Sequence, residues 1–113
     1  MKIYRRPGFL KLPDGILFCI GKPWHWQEPQ IKTRTHATND FDTLALSDIE
    51  WNGSEDLLNK QEEMLETGKS YPIDLDSSMR DGCFDNEQIF LVYEADDIKA
   101  LIATLGQCTY PPG

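Results

Sequence analysis

The alternation of apolar and polar positions marks out a series of short elements. Residues 1–11 carry Ile3, Tyr4, Phe9 and Leu10, so this segment packs rather than dangles. Pro13-Asp14-Gly15 then predicts a turn, because proline presets φ and glycine permits a positive φ. Ile16-Leu17-Phe18-Cys19-Ile20 is apolar on both alternating faces, which predicts a strand covered on both sides, ended by Gly21-Lys22-Pro23. Residues 24–33 read as a second strand. Pro29 lies within it and cannot donate to a ladder, so it implies an edge or an interruption. Residues 35–40 read as a polar loop. Residues 41–51 mix apolar and polar side chains at a period near two and read as a third strand, with Ile49 and Trp51 on one face.

The period changes after Trp51. Leu57, Leu58, Gln61, Met64 and Leu65 trace one helical face, Ser54 stands as the cap, Glu55 and Asp56 lie at the positive end, and Gly68 can end the helix in the left-handed conformation. Tyr71-Pro72-Ile73 reads as a short strand, and 74–86 as a polar loop. Gln88-Ile89-Phe90-Leu91-Val92-Tyr93 is apolar on both faces and rich in β-formers, which predicts a strand inside the sheet. Ile98, Leu101, Ile102 and Leu105 fall at i, i+3, i+4 and i+7 of a second helix over 95–105, closed by Gly106. The order β-β-β-α-β-β-α predicts an α+β fold: an antiparallel sheet of four to five strands with two helices packed on it. Residues 1–113 form one domain, with 107–113 as a frayed tail.

Charge adds an asymmetry. The net charge is −8. Residues 1–34 hold seven basic side chains against two acidic ones, whereas 35–113 hold four basic against seventeen acidic. An acidic face suits a basic protein partner. A nucleic-acid surface needs a dense basic patch, and Arg5-Arg6 is too short to make one, so no nucleic-acid partner is expected. No apolar stretch is long enough for a membrane span or a signal peptide, which points to the cytoplasm without a membrane partner. Cys19, Cys83 and Cys108 are odd in number and unpaired in spacing, so neither a disulfide framework nor a thiol redox motif is expected.

Few residues carry candidate chemistry. Read as a strand, Trp24-His25-Trp26 places two indoles on one face and His25 on the other, a stacking platform for a flat ligand that Trp51 could join. The competing reading is that these residues fill a core or a dimer seam. Asp74, Asp76, Asp81 and Asp85 gather oxygen ligands on one loop. The order of an EF-hand loop fails there, because Met79 stands where glycine is needed, so a solvated turn at Asp81-Gly82 is the simpler reading and no metal is expected. Neighbouring carboxylates set Cys83 up poorly as a nucleophile. No catalytic constellation and no phosphate-cradling glycine loop is present, so neither a catalytic residue nor a cofactor is assigned and an enzyme is not the expected reading.

Residues 9–18, Gly21-Lys22-Pro23-Trp24, Ser70-Tyr71-Pro72-Ile73, Arg80-Asp81-Gly82-Cys83-Phe84-Asp85 and Phe90-Leu91-Val92-Tyr93-Glu94 together give the chain a pattern that resembles small uncharacterised bacterial proteins of the integron gene cassette type. The resemblance implies a bacterial, cytoplasmic accessory protein and carries no activity. The expected function is therefore that of a small acidic protein that binds a macromolecular partner. The alternative is a small-molecule binder built on Trp24 and Trp26. An exposed sheet edge also allows a homodimer.

Overall fold

The computed structural model describes residues 1–112. Its elements run β1 (Lys2–Arg5), α1 (Arg6–Leu10), β2 (Ile16–Lys22), β3 (His25–Trp26), β4 (Gln30–His36), β5 (Asp40–Ala45), α2 (Ser54–Thr67), β6 (Ser78–Arg80), β7 (Ile89–Val92) and α3 (Ala95–Leu105). All strand pairings are antiparallel, in the order β1-β7-β2-β4-β5-β6, with β3 beside β2. The fold is α+β, and its seven-stranded sheet exceeds the four to five strands expected.

The extra strands have physical causes. The segment read as one strand over 24–33 is broken around Pro29 into β3 and β4, which run along the same edge of β2. Gln27 N–H still donates to the Ile20 carbonyl at 2.8 Å between them. Thr35 and His36, read as loop, extend β4, and the third strand stops at Ala45 rather than Trp51. Ser78–Arg80 pairs with β5 inside the segment read as loop. The strand expected around Ile73 is reduced to a single bridge to Ile49. At the N-terminus Pro7 sits in the first turn of α1, where its missing N–H costs nothing.

The core lies on one face of the sheet. Phe9 from α1 enters a cluster with Phe18, Phe41 and Phe90, all wholly buried, and Ile20 and Val92 complete it. Phe9 stacks on Phe90 with centroids 4.0 Å apart, while the other aromatic pairs meet edge to face. Two charged side chains flank the cluster without reaching water. Arg6 lies over the Phe41 ring and Lys32 over the Phe9 ring. The Lys32 ammonium donates to the carbonyls of Phe9 and Leu12, and burial lowers its pKa against a smaller opposing pull from Asp14.

The two long helices correct the expected layout. Gly68 ends α2 in the left-handed conformation as expected, but the residue before its first turn is Gly53, and Ser54 makes no capping bond. Neither α2 nor α3 buries a residue, so they do not roof the sheet. Leu58, Leu65, Ile102 and Leu105 are all more than half exposed. The radius of gyration is 16.4 Å, against about 13 Å for a compact chain of this length. The accessible surface is 8233 Å², about 1,900 Å² more than a folded 13.0 kDa chain shows. Among the described residues no helix is long and apolar enough to cross a membrane. Of the expected tail, 108–112 carry no regular element, and Gly113 lies outside the described residues.

Candidate functional site

Two hollows border the sheet. The first is a cleft of about 540 Å³ that opens beside the phenylalanine cluster. Ile20 belongs to both, so the cleft continues the core face of the sheet where no helix covers it. Ala45 and Met79 add apolar surface from β5 and β6, and Pro29, Ile49 and Trp51 add it from the loops. The Ile49–Ile73 bridge and the bond from Asp74 N–H to the Asp48 carbonyl, 2.8 Å, fasten those loops together at its border.

The rim of the cleft is acidic. Glu28, Asp48, Asp74 and Asp81 face a single cation, Arg80. Local bonds fix these carboxylates. Asp48 accepts the Trp51 indole N–H at 2.8 Å, Glu28 accepts the Ser47 hydroxyl at 2.7 Å, and Asp81 accepts from Arg6 at 2.8 Å. Asp74 accepts the backbone N–H groups of Asp76 and Ser77, and bonds from Ser77 and Asp76 hold its pKa below the usual carboxylate value. Helix α2 begins three residues past Trp51 and carries Glu55, Asp56, Glu62, Glu63 and Glu66 against Lys60 alone.

The second hollow is a recess of about 800 Å³ under the β2–β3 hairpin. Lys22 pairs with His25 and Gly21 with Trp26, so Pro23 and Trp24 form a two-residue turn. Trp24 adopts φ 61°, a left-handed conformation uncommon for a bulky residue. This corrects the strand reading, in which Trp24 and Trp26 shared a face: Trp24 is at the turn tip and only Trp26 is in the strand. Trp51 does not join them, since it borders the other hollow.

The four loop aspartates also separate. Asp74 and Asp81 border the cleft, Asp85 borders the recess, and Asp76 borders neither. Among the described residues no group of three or more His, Cys, Asp or Glu side chains is placed to hold a metal ion. His25 and Cys83 both line the recess, whereas His36 bonds Asp42 at 2.8 Å outside both hollows. Met79 and Arg80 read only as loop residues in the sequence, because the Ser78-Met79-Arg80 alternation is too short to separate from loop, and Ala45 reads only as part of a strand.

Charge asymmetry along the sequence is partly cancelled in space. Arg5 pairs with Glu87 at 3.0 Å, and Arg6 with Asp81 at 2.8 Å and Asp40 at 3.3 Å. Arg5 is thereby matched at the recess and Arg6 matches one carboxylate of the cleft rim, while Glu28, Asp48, Asp74 and α2 keep a negative excess. No known protein family, curated protein or solved structure matches the chain.

Proposed function

We propose that the protein is a binding module whose open cleft and acidic helix α2 receive a basic, amphipathic segment of another protein. The observation that carries this reading is an apolar cleft rimmed by four carboxylates and one arginine, next to a helix that buries none of its own apolar residues. Apolar side chains of the partner would fill the cleft, and its lysines or arginines would meet the rim and α2. A second copy of this chain, itself of net charge −8, would bring no excess of cations to the rim, so charge favours a basic partner there.

Site-specific photo-cross-linking tests the reading. A benzophenone amino acid at Met79 or at Leu65 should each give the same discrete adduct with a basic protein in the native host. Glu62→Lys with Glu66→Lys should abolish it while leaving the circular dichroism spectrum unchanged. No adduct from either position, or an adduct indifferent to the charge reversal, overturns the proposal.

A further inference from the structure

The recess under the β2–β3 hairpin is separate from the cleft and carries its own chemistry. We propose that it binds a neutral saccharide, stacked on Trp24 and Trp26.

Trp24 is the first observation. A bulky side chain at φ 61° is disfavoured by about 1 kcal/mol or more, at a turn position where glycine or asparagine sits without strain. The indole is 102% exposed, so no packing within the chain offsets that cost. Trp26 is the second. A Cβ on Gly21 would lie 2.6 Å from the Trp26 ring carbon Cζ3 and 2.6 Å from Ile89 Cγ1. The bare backbone of β2 thus lets the Trp26 indole lie against the strand, held by Ile89, while leaving it 42% exposed.

The rim selects the ligand class. Both donors and acceptors stand there: Lys22, His25 and Gln88 with Asp85 and Glu87. The charges balance, since Arg5 answers Glu87 at 3.0 Å and Lys22 stands against Asp85 on the same rim. An organic cation would meet Lys22. A phosphorylated ligand would meet two carboxylates and a net charge of −8. A pyranose ring meets neither obstacle. Its C–H face carries partial positive charge toward the negative face of an indole, and its hydroxyls can both donate and accept at a mixed rim. The volume of about 800 Å³ lies within the range of small-molecule sites.

Titration with chitotriose, cellotriose and maltotriose, followed by tryptophan fluorescence and saturation-transfer NMR, tests this, with adenosine and tryptamine as controls. The expected result is saturable binding of at least one trisaccharide at millimolar concentration. Trp24→Ala should weaken it by about tenfold or more. Trp24→Gly relieves the backbone and should weaken it equally, which separates lost stacking from lost fold. No saturation transfer from any of the three sugars overturns the proposal. So does binding that both Trp24 variants leave unchanged, or tighter binding of adenosine or tryptamine than of any trisaccharide.

Discussion

Arg6 and Asp40 face each other at 3.3 Å with neither side chain reaching water, exposed 0% and 1%. Burying two charges is costly unless every polar atom is satisfied. Here it is. Arg6 also donates to the Asn39 carbonyl, Asp81 and Gln88, and Asp40 accepts from Gly82 N–H and Arg80. The pair ties α1 to the β4–β5 hairpin and to the segment leading into β7.

Asp40→Asn should therefore cost about 3–5 kcal/mol, because it removes a buried charge that Arg80 pairs with and leaves the buried Arg6 with Asp81 alone. Burial alone would raise the Asp40 pKa. The Gly82 and Phe41 N–H groups and Arg80 outweigh it and hold the pKa below its ordinary 3.8. The folded state keeps the carboxylate charged where the unfolded chain takes up a proton. Its contribution is complete above that ordinary value and is lost as pH falls through the lower folded one. Urea melts from pH 5 to pH 2 should show a steeper acid loss in the parent than in the variant.

Lys32 gives a slope of the same sign in a more alkaline window. Its folded pKa lies below the ordinary 10.5, chiefly through burial. Between the two values the unfolded chain binds more protons, so stability rises with pH there. The difference between parent and Lys32→Met, taken from denaturant midpoints at pH 8 to 10, should shift in favour of the parent as pH rises. A flat difference would show that the folded amine keeps its ordinary pKa.

Gly21→Ala forces its methyl into Trp26 and Ile89, both 2.6 Å away. Overpacking of this kind costs about 1–3 kcal/mol. Thermal melting should register the loss, and Trp26 fluorescence should shift as the indole is displaced.

Leu65→Gln and Ile102→Gln read the helix faces. At 86% and 64% exposure these side chains should change stability by no more than about 0.5 kcal/mol. Phe9→Ala, by contrast, should cost about 3–5 kcal/mol, since it empties the middle of the aromatic cluster. Equal losses in all three variants would mean that the helices pack on the sheet after all.

The sequence made some of this legible. The bounds of α3, the left-handed Gly68 and the doubly apolar β2 and β7 came through because each rests on a local pattern long enough to repeat. The Pro29 break did too. Three features did not. A five-residue α1 is too short for a 3.6-residue period to declare itself, although it supplies Phe9. β6 is recognisable only by its partner β5. Trp24 reads as part of a strand because Trp-His-Trp alternates like one, yet Pro23 at the first turn position sends the chain into a hairpin instead. The helix stripes were visible in sequence, but periodicity says only that a face is apolar, and what covers it is a tertiary fact.

β7 lies between β1 and β2, pairing with Lys2–Arg5 on one side and Phe18–Gly21 on the other. Strands adjacent in sequence are therefore held apart until the chain has been made as far as Val92. On the ribosome β1 waits unpaired until β7 has been made, and the aromatic cluster lacks Phe90 for as long. Closing loops of this length before any contact rewards them makes for slow folding, with the N-terminal strand docking only when the last one arrives.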